Sequence, residues 1–228
     1  MVGWIFLAWA ALDMTNPLAM LMMPATSDWT TENLIAVFIM WSLMMMAMML
    51  PSAAPMILMF ANLNRRKGEK FRTISFTGAY LVIWIIFSAG AVFVQWLLQN
   101  YNLMSANMVS SSILLSSILL LIVGVLQFSP LKSACLKHCR SPMGFLMTDW
   151  RDGINGAWVM GFRHGAYCLG CCFALMLLLF VAGIMNLAWV AALTLAVAAE
   201  KILPKGERVA QLLGVALILA GVLKIAVN

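Results

Sequence analysis

The chain is predicted to be all-α: a polytopic transmembrane helical bundle of six full spans plus a short or partial N-terminal helix, in one integral membrane domain over residues 1–228. Three observations predict it. Hydrophobic residues make up 64% of the chain and charged ones 10%, with a mean hydropathy of +0.98, whereas soluble domains carry about 25% charged residues. So little charge cannot cover a surface facing water, so the solvent must be lipid. Several apolar runs also reach the length of about 20 residues that crossing the hydrocarbon demands. Finally, the basic residues sit in short groups between those runs, where the positive-inside rule puts them. The net charge of +6 therefore orients the chain in a bilayer, and no nucleic-acid partner is expected.

Residues 1–12 resemble a signal peptide only superficially. They lack a basic start and a small-residue cleavage site, so they are read as retained. With the residues after them they form the partial segment 3–23, outside or at the outer surface. The acidic Asp13, Asp28 and Glu32 agree with that side. The first full span, 35–61, holds Pro51 and Pro55 in its second half. The densest basic patch follows, Arg65-Arg66-Lys67-Gly68-Glu69-Lys70-Phe71-Arg72, and is assigned inside. Span 75–98 leads outward to a polar stretch, and 109–128 returns and ends at Pro130.

The loop 131–153 carries Lys132, Lys137, Arg140 and Arg151, and the loop 200–208 carries Lys201, Lys205 and Arg208. Both are assigned inside, so the chain between them crosses an even number of times, as 156–182 and 187–200. Span 209–227 leaves outward, with Lys224 snorkelling near its end. Glu200 and Lys201 are read as helix-end residues at the inner surface. Asp149 or Asp152 should cap the helix beginning near Gly153, and Arg163 should snorkel or pair with an aspartate.

All five cysteines (Cys135, Cys139, Cys168, Cys171 and Cys172) and both histidines (His138 and His164) fall between positions 135 and 172. Cys135, His138 and Cys139 stand at i, i+3 and i+4. His164, Cys168, Cys171 and Cys172 stand at i, i+4, i+7 and i+8. On a helix each set shares one face within an arc of about 100°. Ala157, Gly161, Gly165, Cys168 and Cys172 form a ridge of small side chains with a Gly-x3-Gly pair, which admits a neighbouring helix closely. The candidate ligands therefore face protein rather than lipid. Thiolate and imidazole are donors that soft metals select, Cu(I) above all; zinc or another soft ion would also accept them.

Methionine supplies more soft sulfur. Met44 and Met48 stand one turn apart, as do Met45 and Met49, with Met56 beyond the Pro51 break. These five are candidate transit ligands on the outer side of the cysteine–histidine group. Against that stands methionine's ordinary use as an adaptable core filler, and these residues surround the helix rather than form one stripe.

Three blocks resemble a bacterial family of predicted metal-binding integral membrane proteins, a group of unknown function sometimes labelled copper chaperone. They are Trp41-Ser42-Leu43-Met44-Met45-Met46-Ala47-Met48-Met49-Leu50-Pro51-Ser52-Ala53-Ala54-Pro55-Met56, then Cys135-Leu136-Lys137-His138-Cys139-Arg140-Ser141-Pro142-Met143-Gly144-Phe145, then His164 through Cys172 with Met185-Asn186-Leu187 and Glu200-Lys201. The likeness runs from about Trp41 to Gly221. It implies a multi-pass protein of a bacterial inner membrane with a copper-linked role.

Residues and resemblance together predict an integral membrane protein that binds Cu(I) and delivers or transports it, with a copper enzyme or its assembly factors as partner. An enzyme is the less expected class. One rival is a membrane thiol–disulfide oxidoreductase using Cys168 with Cys171 or Cys172. The other is a structural subunit of a larger complex. No Gly-x4-Gly-Lys-Ser/Thr motif is present to couple transport to nucleotide.

Overall fold

A computed structural model describes residues 2–12, 16–24, 29–66, 69–104 and 112–227. Asp13, Asp28, Lys67 and Gly68, used above for orientation, lie outside the described residues, as do the first residues of the expected span 109–128. The described chain is helical without a strand. Its helices are α1 (Val2–Leu12), α2 (Pro17–Met22), α3 (Thr31–Arg66), α4 (Lys70–Asn100), α5 (Ile113–Leu126), α6 (Pro130–Arg140), α7 (Pro142–Asp149), α8 (Gly153–Leu177), α9 (Leu179–Ala182), α10 (Leu187–Ile202) and α11 (Gly206–Ala226).

The structure bears out the expected spans in part. Among the described residues, four helical stretches are long and apolar enough to cross a membrane: 31–65, 70–100, 153–182 and 206–226. A fifth arises if α5 and α6, bent by 64° at their junction, act as one broken span. The expected sixth, 187–200, is realised as α10. Its 16 residues reach only about 24 Å at 1.5 Å per residue, short of a hydrocarbon core of about 30 Å. The α5–α6 break has a local cause. Ser129 accepts a hydrogen bond from the Leu131 amide (3.3 Å), and Pro130 opens α6, so a new helix starts where the old one cannot continue. The expected N-terminal segment 3–23 is two short helices, α1 and α2.

Prolines 51 and 55 lie inside α3 without ending it. Pro51 has no N–H to give the carbonyl of Ala47, and the Trp4 indole on α1 donates to that carbonyl instead, at 3.2 Å. A freed carbonyl inside a bundle thus finds a partner from a neighbouring helix.

Glycines set the closest helix contacts. A Cβ at Gly161 on α8 would stand 2.1 Å from the Phe76 carbonyl oxygen on α4, and one at Gly165 would stand 2.8 Å from Ile83. The Gly161-x3-Gly165 ridge therefore seats a neighbouring helix, as the spacing predicted, and that helix is α4. Gly124 on α5 and Gly214 on α11 do the same for each other. Outside this core, α4, α5 and α11 present Ile86, Phe93, Leu114, Leu212, Leu219 and Leu223 as exposed apolar side chains, suited to lipid.

Candidate functional site

Helix α8 runs through the centre of the bundle, its apolar stretch more buried than that of any other spanning candidate. Cys168 stands about 22 Å along it from Gly153 at 1.5 Å per residue. Cys168, Cys171 and Cys172 all lie on its buried face, as the i, i+3, i+4 spacing requires. Helix α6 packs against α8, and a Cβ at Gly170 would stand 2.8 Å from the Cys135 sulfur. That close approach lays α6 along the cysteine face of α8.

The result is a set of neighbouring thiols. The Cys171 Sγ lies 3.4 Å from Cys172 Sγ and 3.8 Å from Cys139 Sγ. It also donates to the Cys168 carbonyl at 3.2 Å. All five cysteines are free thiols. Among the described residues, however, no three Cys, His, Asp or Glu side chains surround a common point as a ready metal cage. The donors fit a soft ion in kind; as they stand they offer it pairs.

The other predicted ligands are placed differently. Cys135 is half-buried against Gly170, one turn from Cys139. His138 is exposed on α6, its Nδ1 2.9 Å from the Ala134 carbonyl and its ring stacked 4.5 Å from Tyr167, turned away from the thiols. His164 is buried among the rings of Phe76, Tyr80 and Phe145, and its Nδ1 has no hydrogen-bond partner. Met44, Met45, Met48, Met49 and Met56 are all buried. Met49 touches the site through its carbonyl, which accepts from Ser52 (2.9 Å) and Tyr80 (3.2 Å). Met56 borders a cavity of about 180 Å³ together with Ser52, Cys139, Arg140, His164 and Lys201. Met44, Met45 and Met48 belong to the central apolar core.

Three participants were not among the candidate ligands. Lys201 is buried and donates from Nζ to Cys168 Sγ at 2.9 Å and to Ser52 Oγ at 3.1 Å. The Tyr80 hydroxyl lies 3.1 Å from the same sulfur. The placement of Glu200 and Lys201 at the surface is thus corrected: Glu200 is 1% and Lys201 9% exposed. Glu200 holds Lys132 with its two oxygens at 2.9 and 2.8 Å and accepts from Gln127 at 3.3 Å. A sequence signal existed. Val190, Leu193, Thr194, Val197, Glu200 and Lys201 are the buried residues of α10, one helical face that the two charged residues continue.

Near the other end of α8, Asp152 precedes the helix without a side-chain cap and accepts from the Trp150 indole at 3.0 Å. Arg163 pairs with Asp149, as expected. Arg72 of the basic patch is buried, donating to the Arg151 carbonyl and lying over the Trp150 ring at 4.9 Å.

Comparison with known proteins gives one result. No curated protein and no solved structure matches the chain. A family model described as PpoB2, copper chaperone, matches residues 38–224, a range that contains the four neighbouring thiols, Lys201 and the buried methionines. The chain belongs to this copper chaperone family.

Proposed function

We propose that the chain is a multi-pass protein of a bacterial inner membrane that takes Cu(I) onto buried cysteine sulfur and hands it on to a copper enzyme or its assembly factors. In this reading Cys139 on α6 and Cys168, Cys171 and Cys172 on α8 are the principal donors. Met49 and Met56 border them, and Met44, Met45 and Met48 continue the thioether supply along α3. Cys135, His138 and His164 serve as donors only after local movement. The topology keeps six crossings, with α10 as the short return that brings the chain back beside α6.

The observation that supports this most is the meeting of thiols from two helices deep in an apolar bundle, next to a cavity, in a chain of a copper chaperone family. Packing alone gives no reason to place several thiols side by side, since reactivity rather than packing usually decides where cysteine is kept. Cu(I) gains much, since thiolates are the ligands it prefers. Zinc would accept the same sulfurs, but structural zinc is almost always four-coordinate, and no such cage is formed among the described residues.

Elemental analysis of purified protein after Cu(I) loading tests the proposal. The wild type should retain copper, and a Cys168→Ser, Cys171→Ser, Cys172→Ser variant should retain none. Equal copper in both overturns it. The nearness of Cys139 and Cys171 favours thiol–disulfide exchange as a second reading. It requires a mixed disulfide with a partner protein to accumulate when one of the two is changed to serine, which a metal carrier does not form.

A further inference from the structure

We propose that Lys201 is the built-in counter-charge of an anionic metal–thiolate unit, the residue that lets two thiolates and a monovalent ion exist together inside the bundle. The inference rests on reading the thiols as metal donors and assigns a partner to them. Two thiolates and one Cu(I) carry a net charge of −1. An uncompensated charge in a low-dielectric interior is strongly disfavoured, so a buried site of this kind needs one fixed positive charge close to sulfur.

Lys201 meets that need. Its Nζ is 2.9 Å from the Cys168 sulfur and is held from the other side by Ser52 Oγ at 3.1 Å. Ser52 is itself fixed by donating to the Met49 carbonyl. The nearest acid along the chain, Glu200, gives both its oxygens to Lys132 and forms no ion pair with Lys201. Among the described residues no carboxylate pairs with Lys201. An ammonium buried against a cysteine sulfur, with no carboxylate partner among the described residues, is arranged for thiolate chemistry rather than for stability. The 180 Å³ cavity beside it, bordered by Met56, Cys139 and His164, leaves the ammonium room to adjust once an ion sits between the sulfurs. Lys201 is thus a positioning residue for charge, not a ligand.

Chelator competition on purified protein in lipid nanodiscs tests this, with Cu(I) itself as the probe and a chromophoric Cu(I) chelator as competitor. Lys201→Met should weaken Cu(I) binding by about tenfold or more, equivalent to about 1.4 kcal/mol, with the amount bound at saturation unchanged. Lys201→Arg, which keeps the charge, should restore most of that loss, an outcome that a packing role for the lysine does not produce. Ser52→Ala should weaken binding by a smaller factor in the same direction. Binding by Lys201→Met as tight as wild type, or tighter, overturns the proposal. If Lys201→Met does not fold, Ser52→Ala decides, and unchanged affinity there overturns it. Wild type that binds no Cu(I) removes the reading of the thiols as well, whereas equal binding in wild type and Lys201→Met removes only the role of the lysine.

Discussion

Glu200 and Lys201 are neighbours in sequence, both buried, and in opposite circumstances. Glu200 turns toward α5 and α6, where Lys132 and Gln127 satisfy it. Lys201 turns toward α3 and α8, where its partners are a serine hydroxyl and a cysteine sulfur. The first arrangement is a closed ion pair that fastens α10 to α6. The second leaves a cation facing thiols without a carboxylate. Burial alone therefore does not tell a structural charge from a functional one; the identity of the partner does.

That contrast can be broken most sharply at the closed pair. Glu200→Gln strands the Lys132 ammonium in the core, and breaking a buried pair from one side costs about 3–5 kcal/mol. The expected outcome is a large drop in thermal stability in detergent, measured by differential scanning fluorimetry. Lys201→Met removes a buried cation whose cysteine partner can stay protonated, so no charge is left stranded and one desolvation cost is lifted. Its melting temperature should stay close to wild type or rise. Equal losses in both variants would mean that the two charges play the same structural part.

A smaller effect separates the α4–α8 seam from its surroundings. Gly161→Ala places a methyl against the Phe76 backbone, which cannot yield as a side chain can, and overpacking of this sort costs about 1–3 kcal/mol. Gly78→Ala on α4 meets only the Trp158 ring at an ordinary 3.8 Å. It should be neutral or gain up to about 1 kcal/mol from helix propensity. The same melting measurement distinguishes them, and a loss in Gly78→Ala as large as in Gly161→Ala would contradict the seam described here.

Much of this was legible beforehand. Composition and apolar runs gave an all-helical membrane-type chain, and the Gly161-x3-Gly165 spacing gave a close helix contact, though not that its partner is α4. The spacing of Cys168, Cys171 and Cys172 gave a shared buried face. The rest depended on contacts between distant segments, which periodicity does not encode. His138 and Cys139 are adjacent on α6, yet stacking on Tyr167 turns the histidine outward while the cysteine faces Cys171. Lys201 reads from sequence as a helix-end residue, because a lysine next to a proline-containing loop normally marks a helix end at water. Its burial follows from the 3.6-residue face it shares with Val190, Val197 and Glu200, which was readable but outweighed by its charge. The sixth span is realised as a helix of 16 residues, shorter than the four long apolar ones, since an apolar run does not reveal where a helix starts.

The central claim is that sulfur from α6 and from α8 holds the same ion. X-ray absorption at the copper edge of Cu(I)-loaded protein tests it directly, comparing wild type with Cys139→Ser and with Cys171→Ser. The account predicts a first shell of sulfur alone in the wild type, with fewer sulfur neighbours or lost copper in each variant. A shell dominated by nitrogen or oxygen, or one unchanged by both substitutions, would contradict it.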